Sequence, residues 1–197
     1  NAAADIEFKF PFGFKELEGI HSRTDFDLSA HEKFSGRKLQ YFDPERNENY
    51  VPYVVETSIG LDRMFLALFS NCLKDEVLED GSERTVLSLP PALAPVKAAI
   101  LPLVKKDGLP EFAEKIFNDL KYDFNVISEE KDSIGKRYRR QDAIGTPFCI
   151  TVDHDSLADN TVTLRERDTM KQERVKVEDL RRIIDEKVNF RTLLSKI

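Results

Sequence analysis

The sequence predicts an α/β (α+β) protein in two parts, an antiparallel sheet backed by a helix and then a mixed five-stranded α/β domain. In residues 1–83, strand-like segments precede a helical one, which is typical of an antiparallel sheet with a helix on one face. In residues 84–197 the order is β-α-β-α-β-β-β-α, which predicts a mixed sheet with helices on its faces. A polar, acidic passage around Gly81, ending in Pro90-Pro91, predicts a domain boundary near residue 83.

Composition and cysteine usage limit the class of protein. The 197 residues are 41% hydrophobic and 34% charged, which allows a buried core. No run of about 18 apolar residues occurs, so we expect no membrane span, and the first residues lack the pattern of a secretory signal. Cys72 and Cys149 lie far apart and the three histidines are scattered, which predicts reduced thiols, a cytoplasmic protein and no structural zinc.

Charge is distributed unevenly along the chain. Residues 1–83 carry 9 basic and 17 acidic side chains, whereas residues 84–197 carry 21 and 19. An acidic segment repels the phosphates of nucleic acids. We therefore expect any nucleic-acid contact in the second part, where basic residues cluster locally.

The first part is expected to hold three strands and two helices. FGFKELEGI (12–20) mixes apolar and polar residues as a half-buried strand does, and it precedes a loop and a short helix capped by Asp27 or Ser29. GRKLQYFDPERNENYVPYVVETS (36–58) predicts two strands joined by a turn, and LDRMFLALFSNCL (61–73) predicts a helix.

The second part alternates strands and helices more clearly. Strands are predicted at 96–104, 124–130 and 147–153, together with a hairpin at 160–177 that turns near Asp168-Thr169. Helices are predicted at 110–123, 132–145 and 178–188. The helix at 132–145 is strongly basic, with Asp132 or Ser133 as its cap.

In VPYVVETSIGLDRMFLALF (51–69), a short stretch with several polar residues lies between two apolar segments. Glu56 ends an apolar strand, Gly60 offers bare backbone on which a flat group could lie, and Arg63 could fork onto phosphate oxygens. With the Ser58 hydroxyl, this composition suits a site for a nucleotide and an amine. The alternative, which these residues alone favour, is a strand-to-helix connection stabilised by a Glu56–Arg63 salt bridge.

The same residues carry a family resemblance. SIGLDR (58–63) resembles motif 3 of class II aminoacyl-tRNA synthetases, and ETSIGLDR (56–63) resembles its glycyl version, Glu-Pro-Ser-x-Gly-x-Asp-Arg, with Thr57 in place of proline. GFKELEGI (13–20) and SRTDFDL (22–28) are similar to the strand and loop just after motif 2. The match is close to the bacterial, dimeric-type glycyl enzymes. It implies that residues 1–83 are the C-terminal part of a class II antiparallel-sheet catalytic domain.

The resemblance implies roles in ATP and glycine binding. Glu56, Gly60 and Arg63 would belong to the ATP site, with Gly60 under the adenine and Arg63, the catalytic residue, on the γ-phosphate. Mg²⁺ would accompany ATP, and no protein metal ligand is assigned. The ammonium group of glycine would be bound by Glu16 and Glu56, and Ser58 would help to close the pocket around its α-carbon. Two further residues could shape this site: Arg23 and Asp27.

Residues 84–197 resemble the anticodon-binding domain shared by the glycyl, histidyl, threonyl and prolyl synthetases, which implies tRNA(Gly) as partner. The most informative part is DSIGKRYRR (132–140), where basic residues flank an aromatic one, a pattern that can bind phosphates and stack on bases. The alternative is a solvated helix face. Arg165 and Arg167 are weaker candidates, and the predicted anticodon-binding residues are Lys136, Arg137, Tyr138 and Arg140.

Motif 1 and motif 2 have no counterpart in this sequence. We therefore expect a fragment of a glycine–tRNA ligase that does not activate glycine alone, because the motif 2 arginine that would bind the α-phosphate is missing. The whole enzyme is expected to be a homodimer. The alternative is a non-catalytic relative that binds tRNA or another nucleic acid. The retained Glu16, Glu56, Ser58, Gly60 and Arg63 favour the ligase.

Overall fold

A computed structural model describes residues 2–195 of the chain. It divides into two compact units, Asn1–Ser70 and Asn71–Ile197, and we describe each unit separately. Among the described residues, no helix has the length and apolar character that crossing a membrane requires.

The first unit contains a three-stranded antiparallel sheet with the order β1-β2-β5. A small hairpin, β3–β4, and two helices complete it. The elements in chain order are β1 (Ala3–Phe10), β2 (Gly13–Thr24), α1 (Phe26–Ser35), β3 (Tyr41–Asp43), β4 (Glu48–Tyr50), β5 (Val54–Ile59) and α2 (Leu61–Cys72). The predicted strand and final helix are confirmed, whereas β1 was not predicted and 36–58 holds three strands instead of two.

The end of β2 is irregular in a way that matters for the site. The pairing of β2 with β5 shifts between Ser22 and Thr24, so Arg23 is an extra residue in a β-bulge. Thr24 has a φ of 55°, which is rare for a β-branched residue. Bulges redirect side chains and are common beside functional sites. Helix α1 then begins at Phe26 with Asp25 as its cap residue, so the predicted caps Asp27 and Ser29 lie inside the helix.

The second unit contains a five-stranded mixed sheet preceded by a hairpin, β6–β7, which was not predicted. The sheet order is β12-β11-β10-β8-β9, with β8 parallel to both neighbours and the other pairs antiparallel, which confirms the predicted mixed sheet. The elements are β6 (Leu73–Val77), β7 (Glu83–Leu87), β8 (Ala98–Pro102), α3 (Leu109–Leu120), β9 (Val126–Ser128), α4 (Ile134–Ile144), β10 (Phe148–Val152), α5 (His154–Asp159), β11 (Thr161–Glu166), β12 (Gln172–Lys176), α6 (Leu180–Val188) and α7 (Phe190–Leu194).

Apolar side chains cover both faces of this sheet. Because side chains alternate along a strand, Ala98 and Ile100 of β8 join the larger core, in which Leu109 of α3 and Leu180 of α6 are fully buried. Ala99, Leu101 and Cys149 face the other way, where Ile134 and Tyr138 of α4 pack on them. Helix α4 therefore lies on one face of the sheet and α3 and α6 on the other.

The sequence-based boundary near residue 83 differs from the structural division at 70/71. The polar passage that suggested it forms the β6–β7 hairpin, with residues 78–82 as its turn. Val86 and Leu87 of β7 are buried in the second unit. At the end of α4, Gly145 has a φ of 85°, and an added Cβ would lie 3.0 Å from the carbonyl oxygen of Leu87. The hairpin therefore packs closely as part of this unit.

Both cysteines are free and buried, and their environment makes a chemical prediction. Burial raises the pKa of the Cys149 thiol to about 12. Since the thiolate is the reactive form, Cys149 should resist iodoacetamide at pH 8 in the folded chain and react readily in urea. A Cys72→Ala variant would let mass spectrometry report Cys149 alone. Rapid labelling without denaturant would contradict the buried position.

Candidate functional site

The predicted glycine-binding residues of β5 lie on one face of the first sheet. Glu56 and Ser58 are two residues apart on the strand, so their side chains point to the same side. Glu56 is directly opposite His21 and Ser58 is opposite Gly19. Gly19 is buried, and a Cβ there would come within 2.7 Å of the His21 ring. The absence of a side chain at Gly19 therefore leaves room for the His21 ring.

The bulge brings Arg23 to Glu56. Arg23 donates two hydrogen bonds to Asp27, one of them from Nη2 to Oδ1 at 3.0 Å, and its Nε lies 3.3 Å from Oε2 of Glu56. The hydrogen bond to Asp27 raises the pKa of Arg23, and the same bond holds the pKa of the Asp27 carboxyl below its usual range. Arg23, Asp27 and Glu56 therefore form one charged cluster, in which two carboxylates share a guanidinium.

Arg63 is oriented by the backbone of β2. Its Nη1 donates to the carbonyl oxygen of Glu16. A guanidinium has five N–H donors, so this bond can fix its direction while other donors bind phosphate oxygens. Gly60 stands just before α2, where an added Cβ would make only ordinary contact with Arg63 at 3.8 Å. Protein packing therefore does not explain why this position lacks a side chain.

These contacts revise the salt-bridge alternative for the 56–63 segment. Glu56 pairs with Arg23, and Arg63 bonds to a backbone oxygen, so the expected Glu56–Arg63 ion pair is wrong. Glu16 has an exposed side chain, and the structure uses its carbonyl oxygen to hold Arg63. The cluster around Glu56 can bind a cation, and the Arg63 guanidinium can bind an anion.

In the second unit, Arg137 of the basic helix α4 has a packing role. It is 2% exposed, and its guanidinium donates to the carbonyl oxygens of Pro102, Leu103 and Glu129 at 2.7, 3.3 and 3.0 Å. These carbonyls belong to the ends of two parallel strands of the sheet. Burial lowers the pKa of Arg137. The predicted contact between Arg137 and an anticodon is corrected, because the guanidinium has no surface from which to reach RNA.

Arg140 and Tyr138 are also engaged within the unit. Arg140 donates to the carboxylates of Glu129 and Asp132 at 2.6 and 2.8 Å, and these bonds raise its pKa. The Tyr138 hydroxyl lies 2.6 Å from Oγ1 of Thr151, and burial raises the pKa of this tyrosine. Both side chains remain partly exposed, so they can contact a ligand without being free to reorient.

A cavity of about 350 Å³ lies beside the first turns of α4. Its lining includes Arg165 of β11, whose guanidinium carbon is 4.8 Å from the centre of the Tyr138 ring. Arg165 pairs in register with Gln172 of β12, which places both on the same face of the sheet. Met170, in the turn between these strands, has a φ of 56°. The cavity is lined by Gly135, Lys136, Tyr138, Arg139, Arg165, Met170 and Gln172.

This cavity suits a flat, polar group attached to a phosphate. Lys136 and Arg139 provide positive charge at its edge, and Tyr138 and Gln172 provide an aromatic ring and an amide. Arg139, Met170 and Gln172 were not among the predicted site residues. Nothing in the local sequence marks Met170 or Gln172, because the strand register alone brings them to α4.

Comparison with known proteins gives three findings. Residues 97–187 match the model of a family described as an anticodon binding domain. The chain is 58% identical over 88% of its length to the glycine--tRNA ligase of Chlorobaculum tepidum and 56% identical over 96% to that of Macrococcus caseolyticus. It covers 37% and 41% of these relatives, so it spans about two fifths of their length.

A solved structure supports the fold. The crystal structure of the RNA binding domain of threonyl-tRNA synthetase from Cryptosporidium parvum Iowa II superimposes with a TM-score of 0.67 at 21% identity. The match covers 94% of this chain and 42% of that one. At this identity the similarity concerns the arrangement of strands and helices.

Proposed function

We propose that the whole protein charges tRNA(Gly) with glycine through a glycyl-adenylate formed from ATP. The chain is similar to glycine--tRNA ligases over most of its own length. The identity to these relatives is the observation that carries the proposal. The chain would supply one side of the adenylate site and the anticodon-binding domain. We further propose that the whole protein acts in the cytoplasm as a homodimer, as the sequence resemblance implies.

The geometry of the first unit supports the proposed chemistry. Glu56 and Ser58 share a face, which suits recognition of the glycine ammonium group beside a hydroxyl. Glycine has no side chain to bind, so selectivity would come from a carboxylate for its ammonium and a wall against larger residues. Arg23, paired with Glu56, would be displaced or would share that carboxylate when glycine binds.

The role of Arg63 is electrostatic. Its guanidinium would bind the γ-phosphate while the glycine carboxylate attacks the α-phosphorus and pyrophosphate leaves. Its bond to the Glu16 carbonyl supports this role, because a preoriented group loses less entropy on binding. ATP would bring Mg²⁺, whose preferred ligands are oxygen atoms.

Glycine-dependent ATP–pyrophosphate exchange tests the proposal. The whole protein should exchange label only when glycine is present, and alanine should replace it poorly. The 197-residue chain alone should show no exchange, because it spans about two fifths of its relatives. Absence of exchange by the whole protein, together with intact tRNA binding, would instead support the non-catalytic relative.

The cavity beside α4 predicts how tRNA binding responds to charge. Lys136→Gln and Arg139→Gln should each weaken binding of tRNA(Gly) to the chain, and each should reduce the slope of log K against log salt by about 0.7–0.9 if one phosphate contact is lost. Fluorescence anisotropy at several salt concentrations gives both quantities. Lys115→Gln on α3, which packs on the opposite face of the sheet, is the control. If the slope is unchanged in both variants, Lys136 and Arg139 do not contact the phosphates of tRNA.

A further inference from the structure

Asp142 lies at the centre of a buried ionic cluster in the second unit. Its carboxylate has no exposed surface and accepts hydrogen bonds from Nη1 and Nη2 of Arg165 at 2.8 and 3.0 Å. This two-point contact fixes the plane of the guanidinium as well as its position. The same carboxylate accepts a bond from Arg84 at 3.2 Å.

Arg84 connects this carboxylate to the β6–β7 hairpin. It is 3% exposed, and its Nε and Nη2 both lie 2.7 Å from Oε2 of Glu76 on the paired strand. Its Nη1 also donates to the carbonyl oxygen of Arg167 at 2.8 Å, just after β11. The hairpin, α4 and β11 therefore meet at Asp142.

The cluster lies directly behind the cavity. Two arginines near Asp142 line the cavity: Arg139, whose Nη1 lies 4.0 Å from Oδ2 of Asp142, and Arg165, which forms the two-point contact. The guanidinium carbon of Arg165 lies 4.8 Å from the centre of the Tyr138 ring. A guanidinium held only by the ring could rotate or withdraw, whereas the bond to Asp142 allows one orientation. A site with one shape before RNA arrives loses less entropy on binding than a mobile one.

We propose that Asp142 is a positioning residue for the tRNA cavity: it holds Arg165 in place beside Tyr138 so that the cavity discriminates between anticodon bases. The inference rests on the proposed function, because the cavity must contact the anticodon for Asp142 to matter there. It adds a specificity role to a residue that does not itself reach the ligand, and it makes Arg84 of the hairpin a second support of the same carboxylate.

The test compares two RNA stem-loops, one with the anticodon of tRNA(Gly) and one with a single anticodon base changed, bound to the 197-residue chain. The wild-type chain should prefer the matched stem-loop. Asp142→Asn places an amide N–H₂ group among guanidinium donors, so the preference should fall about tenfold. Arg165→Lys should lose a similar factor because lysine cannot form the two-point contact. If Asp142 acts through Arg165, the double variant should discriminate no worse than Arg165→Lys alone.

The outcomes separate this inference from the proposed function. A wild-type chain that binds both stem-loops equally would overturn the anticodon site, and this inference with it. If the wild-type chain discriminates and Asp142→Asn keeps the same preference, the positioning role alone is overturned. Additive losses of preference in the double variant would overturn it as well. A general weakening of both stem-loops by the same factor also contradicts it, since a merely structural residue acts that way. Asp142→Asn could lower the hydrogen-exchange protection of β10, which would mean that the variant is unfolded in part. In that case Arg165→Lys, which keeps the positive charge and the Asp142 carboxylate, provides the test: it should lose the preference for the matched stem-loop.

Discussion

Replacing Arg63 by alanine in the whole protein is expected to slow glycine-dependent ATP–pyrophosphate exchange by about 10²–10³-fold, the usual cost of removing one preorganised donor to developing charge. The loss should appear mainly in kcat, because the proposed interaction with the γ-phosphate would matter most when charge moves onto pyrophosphate. The structure adds a reason to expect a large effect. Its bond to the Glu16 carbonyl holds the guanidinium in place before any ligand binds.

Two variants make this prediction specific. Arg63→Lys keeps the charge but loses the planar fork, so it should recover only part of the activity. Arg46→Ala is the matched control, since Arg46 lies in the β3–β4 turn with a side chain 73% exposed. It should exchange at the wild-type rate. Equal activity of Arg63→Ala and Arg46→Ala would show that Arg63 does not take part in the proposed ATP site.

Replacing Arg137 by methionine is expected to destabilise the second unit by about 2–4 kcal/mol, because carbonyl oxygens at the ends of two strands lose their donor. The three acceptors are Pro102, Leu103 and Glu129. Methionine is similar in length and in helix propensity, so the change isolates the guanidinium. In the wild-type chain the buried Nε of Arg137 has no hydrogen-bond partner, so removing this group offsets part of the lost stability.

Hydrogen exchange of the β8 and β10 amides measures this effect in the second unit without interference from the first. Lys136→Met is the control, since the neighbouring side chain is exposed and should change stability by less than about 0.5 kcal/mol. If these amides are equally protected in Arg137→Met and Lys136→Met, Arg137 is not buried as the structure places it. If Arg137→Met weakens tRNA binding only in proportion to unfolding, Arg137 serves packing and does not contact RNA.

The basic helix shows how much of a site sequence can predict. Its existence and positive charge followed from composition and caps, and the structure places it at 134–144, within the predicted range of 132–145. The direction of each side chain was harder to predict. Ile134, Arg137 and Gln141 recur at helical spacing and face inward, where Arg137 and Gln141 are buried. Charge suggested exposure, but a guanidinium can be buried where strand ends present several carbonyl oxygens.

The cluster around Glu56 could not be predicted for a different reason. The motif indicated a carboxylate and an arginine seven residues apart, and their pairing was a reasonable local expectation. The actual partner, Arg23, is distant in sequence and reaches Glu56 because β2 contains a bulge. A bulge depends on the register of two strands, and a single sequence carries little information about register.

The β6–β7 hairpin has a practical consequence for anyone who exchanges modules between synthetases. A graft cut at residue 84, where the composition changes, would remove β6 and leave Arg84 without Glu76. The transplanted module would keep the contact of Arg84 with Asp142, but this buried cation would lose its second carboxylate partner, Glu76. A cut near residue 71 keeps the hairpin with the five-stranded sheet, so the portable unit begins at residue 71, well before residue 97, where the match to the anticodon binding domain family starts.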